Sequence, residues 1–269
     1  MARHAAIGTL AAVARWLVER PSYMLMTAGD EQLSRRPARR FAAAWPGVMA
    51  LSLGWGVLLA GLWGLSWRLF KEPGGILFTP AAVTVAVFLL WPFRRAASAL
   101  SEVIAGAGNT QRAILAALLV AVLALCMLGL GSSRYHNESV LPAALAWIRP
   151  SAELYRVLIV MPLWGGWAML ITGQFCRPRE DTAPAVAAFV LGCGPVAATA
   201  SMLAPALLTW AYFHFLNGWE MSMSAAAVIT AVVGGMALSR RTGGLKRATL
   251  LAANVLTQLA FVLSYLANR

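Results

Sequence analysis

The chain has 269 residues, 60% of them hydrophobic and 12% charged, and its 22 Lys and Arg against 10 Asp and Glu give a formal charge of +12. So little charge cannot cover a globular surface, which excludes a water-soluble domain and leaves an integral membrane protein. The positive surplus would point to nucleic acid in a soluble chain, but here it belongs in loops beside anionic lipid headgroups, so no nucleic-acid partner is expected.

Residues 1–45 read as a basic cytoplasmic or interfacial segment. Residues 1–20 carry basic residues around a short apolar centre interrupted by Arg15, with no small-residue cleavage site, which fits a surface helix better than a signal peptide. Asp30, Glu31, Arg35, Arg36, Arg39 and Arg40 then form a collar ahead of residues 46–269, a single transmembrane helical domain. The first predicted span is 46–67, with Trp45 and Trp67 at headgroup level. Along it Ser52, Gly56, Ala60 and Gly64 recur every four residues, a smooth face for close helix approach.

The second span is predicted at 76–93, after the Pro73, Gly74, Gly75 turn. Residues 94–112 read as a cytoplasmic interfacial helix with Arg94, Arg95, Ser98, Ser101 and Glu102 on one face and Ala97, Leu100 and Ile104 on another, ended at Gly106, Gly108 and Asn109. The third span is 113–131 and the fourth 157–175, where Pro162, Gly165 and Gly166 loosen the helix. Between them 132–156 is expected as the longest external loop, apolar enough at 141–148 to touch the membrane surface.

From 182 to 219 there is no Asp, Glu, Lys or Arg, with Glu180 and Asp181 just before and Glu220 just after. A span takes about 20 apolar residues, so this run divides into a fifth span at 183–203 and an interfacial or re-entrant piece at 205–219. The sixth and seventh spans are 221–238, with Ala227, Ala231 and Gly235 four residues apart, and 248–267, where Asn254, Thr257 and Gln258 share a face. Seven spans put most Lys and Arg on one side, which makes this an all-α, multi-pass protein of the plasma (inner) membrane with its N-terminus cytoplasmic.

Chemistry is sparse. Cys126, Cys176 and Cys193 make no disulfide framework, and His4, His136 and His214 stand apart, so no metal ligands are expected. The topology brings three loops to one face. They hold Glu102 and Asn109, then Arg177 to Asp181, then Gly243, Gly244, Lys246 and Arg247. Arg177, Arg179, Lys246 and Arg247 can hold phosphate oxygens, against the reading that they only set topology. Asn254 is a candidate for a substrate path, against simple hydrogen bonding between helices. Glu102 is the one catalytic carboxylate candidate of its loop. A transporter ranks third because no charged residue falls inside a predicted span.

The second half resembles a known family. Pro162-Leu-Trp-Gly-Gly-Trp167-Ala-Met169, followed by Arg177-Pro178-Arg179-Glu180, is similar to a segment of the cobalamin synthases (adenosylcobinamide-GDP ribazoletransferases). Thr242-Gly243-Gly244, opening a final helix through Ala252, Ala253 and Asn254, is similar to their closing segment, and Pro46-Gly47 is a fainter likeness. The resemblance implies a polytopic transferase acting on a phosphorylated, amphipathic substrate with magnesium in vitamin B12 assembly. The family's acidic motifs are missing here: Thr242-Gly243 is followed by Gly244 where the family has Asp, and Gly166 stands where it has Arg. The reading is therefore a diverged relative with degenerate metal-dependent catalysis, in which magnesium enters only if the family chemistry survives. The alternative is a non-enzymatic membrane subunit that binds lipid, a protein partner or a second copy of itself.

Overall fold

The computed structural model describes residues 19–70, 78–89, 91–106, 108–132, 153–213 and 219–268. The expected surface helix lies almost wholly outside these residues, as do 141–148. Two short helices, α1 (Pro21–Thr27) and α2 (Asp30–Ser34), and a 3-10 turn at Ala38–Arg40 lead to α3 (Trp45–Phe70). The next elements are α4 (Phe78–Leu89), α5 (Trp91–Ala105), α6 (Asn109–Ser132), α7 (Glu153–Phe175), α8 (Pro184–Ser201) and α9 (Leu203–Phe213). Last come α10 (Trp219–Ile229), a π-helical turn at Thr230–Gly234, α11 (Gly235–Arg241) and α12 (Arg247–Ala267).

Six stretches of the described residues are long and apolar enough to cross a membrane: Trp45–Leu69, Asn109–Gly131, Glu153–Phe175, Pro184–Phe213, Met221–Arg241 and Arg247–Ala267. The all-α, polytopic expectation thus holds. The stretch expected as the second span is made differently. At about 1.5 Å per residue, the 12 residues of α4 reach roughly 18 Å, short of a ~30 Å hydrocarbon core. A new helix begins at Trp91 with Pro92 in its first turn, where a missing N–H is harmless. α4 starts at the end of the bundle where Pro80 lies beside Gly131 and Trp63, and α5 finishes at the opposite end, where Arg241 Nη2 donates to Ile104 O at 2.7 Å. Two short helices therefore occupy this stretch, and neither is among the helices long and apolar enough to cross a membrane. As expected, α5 exposes Arg94, Arg95, Ser98 and Glu102, but Ser101 is buried and donates to Ala97 O at 2.9 Å.

The 205–219 piece also differs. Residues 184–213 form one helical passage 30 residues long, bent where Gly194 takes φ 66° ahead of Pro195 and again at Met202. A straight helix of that length would reach about 45 Å; the kink at Gly194 and the break at Met202 divide it into shorter pieces. Residues 214–218 lie outside the described residues.

α7 is the centre. Of its apolar window 89% is buried, against 22% for Asn109–Gly131. A helix apolar all round has no face for solvent and goes to the middle. It packs most extensively on α3 and α12, with α8, α9 and the π-helical turn completing the ring, and α5 covers the other side of α12. The small-residue faces work as predicted. A Cβ at Gly56 would strike the Ile159 backbone, one at Gly166 would strike Ser52, and one at Gly235 would strike Thr172. Gly165 leaves the notch filled by Gln258 and Asn254 O.

The helix also begins earlier than expected. Glu153 and Arg156 stand within α7, 2% and 1% exposed, so charged residues do lie inside a span. Tyr265 Oη donates to Glu153 Oε2 at 3.1 Å, and Arg156 Nη1 donates to Tyr212 O at 3.1 Å.

These contacts give a paired test. Overpacking typically costs about 1–3 kcal/mol, so Gly56→Leu is expected to lower the thermal stability of the purified protein by several degrees. Gly54→Leu, where an added Cβ meets nothing within 4 Å, should leave it unchanged. Equal effects of the two would show that α3 does not approach α7 along this face.

Candidate functional site

The three loops predicted to share a face do come together. Residues 177–179 and 245 form a parallel β-bridge, with Leu245 N–H donating to Arg177 O at 2.9 Å and Arg179 N–H to Leu245 O at 3.2 Å. Thr182 Oγ1 adds a bond to Leu245 O at 2.7 Å, and the Arg241 to Ile104 bond ties in the end of α5. The turn between α11 and α12 needs glycine, because Gly243 and Gly244 take φ of 70° and 137°, closed to most side chains. Thr242 Oγ1 reaches Gly244 O at 2.7 Å across that turn. At the start of α12, Lys246 N–H donates to Thr249 Oγ1 at 3.3 Å, one half of a capping arrangement.

The predicted basic residues divide into two groups. Arg179 Nε and Lys246 Nζ close on the two oxygens of Asp181, at 3.0 and 2.8 Å, and Arg179 Nη1 donates to Thr242 O at 3.0 Å. The Lys246 hydrogen bond foremost, then the Arg179 and Lys246 charges, hold the Asp181 carboxyl below its ordinary range. Arg177 sits beside this clamp, exposed. The clamp joins two loops and commits Arg179 and Lys246 to Asp181, although both side chains stay partly exposed.

Arg247 does not join them. It turns inward, 7% exposed, where Nε donates to Leu25 O at 2.7 Å and Nη1 pairs with Asp30 at 3.2 Å. Its Nη2 is buried with no hydrogen-bond partner among the described residues. With Gly29, Asp30, Arg95, Ser98 and Glu102, Arg247 lines a pocket of about 110 Å³ between α2, α5 and the first turn of α12. At about 30 Å³ per water, that is room for three or four waters or one phosphate group. The first N–H groups of α12 have no intrahelical acceptor, and the helix dipole makes this end favourable for an anion.

Asn254 lies two turns deeper in α12. It is 2% exposed, and its Oδ1 accepts from Gln258 Nε2 at 2.6 Å against the Gly165 notch. Asn254 Nδ2 and Gln258 Oε1 are buried without partners among the described residues. The geometry therefore joins Glu102 to Arg247, joins Arg179 to Lys246, and sets Asn254 apart. Sequence reasoning placed Arg95, Ser98 and Glu102 on one helix face but missed Asp30, whose role depends on α2 folding back over α12.

The resemblance implies magnesium, and these residues do not fit it. Among the described residues no three His, Cys, Asp or Glu come together. Both carboxylates of the pocket stand beside guanidinium groups, one already paired with Asp30. A dication held by one or two carboxylates and phosphate oxygens would sit against two positive charges here. Comparison of the chain with protein-family models, with curated proteins and with solved structures finds no match. The likeness to cobalamin synthases thus rests on the residues quoted for it.

The clamp has a pH signature. A carboxyl whose folded pKa is depressed adds stability above its unfolded value near pH 4, and the contribution is lost as pH falls through the depressed value. Asp181→Asn should therefore melt slightly below wild type at neutral pH. The gap should close in acid, and a gap unchanged below pH 3 would remove the clamp from the stability of this face.

Proposed function

We propose that this multi-pass membrane protein binds the phosphate-bearing polar end of an amphipathic small molecule in the pocket beside Arg247, without a metal of its own. One observation carries the reading: a permanently charged guanidinium is buried with one nitrogen unused, and a buried charged donor without an acceptor is costly. A small rotation of the guanidinium toward the pocket would let a bound anion supply the missing acceptor, with Arg95 adding charge and Ser98 a donor. Glu102 then accepts a hydroxyl or ammonium group of the same ligand, which makes it a binding residue in this reading. The mixed lining favours a ligand carrying both a phosphate and a donor group over a bare anion. Descent from a membrane transferase, as the resemblance implies, accounts for the substrate class, and degenerate catalysis accounts for the missing acids.

A non-enzymatic membrane subunit is the second reading. It draws support from the Arg179, Asp181 and Lys246 clamp, which makes a stiff face suited to a protein partner or a second copy. In both readings the loop face is the cytoplasmic side of the inner membrane. Because Cys126, Cys176 and Cys193 are buried, Arg240→Cys provides a single exposed label, expected to react only from the cytoplasm. Reaction from outside only would invert the orientation.

Binding is tested by calorimetry on purified protein with phosphoethanolamine, inorganic phosphate and ethanolamine. Phosphoethanolamine is expected to bind best. Glu102→Gln should reduce its advantage over phosphate, and Arg247→Gln should weaken both phosphate ligands about tenfold or more, since charge-assisted bonds are worth about 1.5–3 kcal/mol. No binding of either phosphate ligand would end this reading. A second assay offers adenosylcobinamide-GDP and ribazole phosphate with and without magnesium. Metal-dependent product abolished by Glu102→Gln would replace binding with catalysis.

A further inference from the structure

At the end of the bundle opposite the loop face, a groove of about 880 Å³ opens sideways between α3, α7 and α9. This falls within the ~300–1,000 Å³ range of pockets that bury most of a small ligand, yet the groove opens where the bilayer would be. Its floor is cut by Ala60, Gly61 and Gly64, and its walls are mostly apolar, including Ile159 and Leu208. From Leu53 to Arg68 it follows α3 for about 22 Å, more than one leaflet's share of a ~30 Å core. Polar chemistry gathers at one end. Arg68 is exposed there beside Trp67, and Tyr155 lines the same end within electrostatic reach of the Arg68 guanidinium. Trp, Tyr and Arg together mark headgroup depth.

We propose that this groove seats one anionic phospholipid, with an acyl chain along the Gly61 and Gly64 floor and its phosphate on Arg68 and the Tyr155 hydroxyl. The choice of lipid follows from shape and charge together. The slot is long and mostly apolar, its α3 wall includes exposed residues such as Val57 and Leu65, and it ends at the Arg68 cation beside Trp67. A guanidinium donates to two phosphate oxygens at once, and a net-negative headgroup is preferred over a zwitterionic one because it brings no second cation beside Arg68. The site is independent of the Arg247 pocket, which lies at the other end of the bundle.

Native mass spectrometry of the purified protein with phosphatidylglycerol and phosphatidylcholine of matched chains tests this. Wild type is expected to retain one phosphatidylglycerol about tenfold more tightly than phosphatidylcholine. Arg68→Gln should erase the preference while lipid is still held. Gly61→Trp should reduce retention of both lipids about tenfold, and because a Cβ at Gly61 meets nothing within 4 Å it should melt as wild type does. Val57→Trp, from an exposed wall position, gives a second blocking variant should Gly61→Trp melt lower. Equal retention of the two lipids by wild type, or undiminished phosphatidylglycerol retention in a blocking variant that melts normally, would overturn the proposal and leave only a loose annulus of lipid.

Discussion

Everything in this bundle depends on α7 supplying hydrogen bonds to neighbours whose own helices are broken. In hydrocarbon an unpaired backbone group costs several kcal/mol, so a bent helix survives only where another element answers its carbonyls. α7 does this repeatedly. At Met202 the helical ladder changes course, and the Ala198 carbonyl, whose usual donor is diverted to Thr199 O, accepts Trp167 Nε1 at 2.9 Å and Ser201 Oγ at 2.8 Å. Beside the Gly194 to Pro195 bend, Gln174 Nε2 donates to Val190 O at 3.2 Å. Thr172 Oγ1 reaches Ala231 O in the π-helical turn at 3.0 Å, and Trp164 Nε1 bonds Thr209 Oγ1 at 2.9 Å. The irregular elements thus lie around α7 because its indoles, hydroxyl and amide make them tolerable. Those same bonds place α8, α9 and α11 relative to the loop face.

The loop face rests on a different device. Positive charge is concentrated there, and repulsion would spread the loops were it not answered by carboxylates and carbonyl oxygens. Asp181 holds Arg179 and Lys246, the Ile104 carbonyl takes Arg241, and Asp30 with the Leu25 carbonyl takes Arg247. The last contact also fastens the amino-terminal elements over α12, since Leu25 and Asp30 come from α1 and α2. Arg247 is therefore both latch and pocket wall, and an anion entering the pocket would compete with Asp30 for the guanidinium. Under the proposed reading, binding and the seating of α1 and α2 would be coupled through this one side chain.

Much of the architecture was legible because lipid imposes long apolar runs and close approaches need small residues. Gly56, Ala231 and Gly235 could be named from spacing alone, and they lie where helices touch. The stretch expected as the second span was less legible, because residues 78–93 carry no charge and composition does not register the new helix that begins at Trp91. The reach of the helix through 205–213 was hidden for a related reason: Pro205 and the aromatics read as interfacial, while Trp164 and Arg156, far away in sequence, supply the bonds that keep the segment in the bundle. At the candidate site the sequence identified Glu102 and Arg247 separately. What it could not give was their meeting, which depends on α5 lying across α12, nor the separation of Arg247 from Lys246. Adjacent residues at a helix start point in different directions, and only the fold says which neighbour each one finds.

Glu153 and Arg156 show how an apolar helix carries buried charge, each bonded to a neighbouring helix. Both sit at helix ends. Glu153 is the first residue of α7, where the positive end of the dipole favours a carboxylate, and it accepts the Tyr265 hydroxyl. Arg156 donates to Tyr212 O of α9, a bond that ties α7 to that helix. Phe213, next to Tyr212, stacks with Phe261 and Tyr265 of α12 at centroid distances of 6.5 and 6.0 Å, which closes the triangle of α7, α9 and α12. Each charge thus ties α7 to a neighbouring helix, Glu153 to α12 and Arg156 to α9. This arrangement joins α7, α9 and α12, with both charges of α7 placed ahead of the long apolar stretch that the other helices surround.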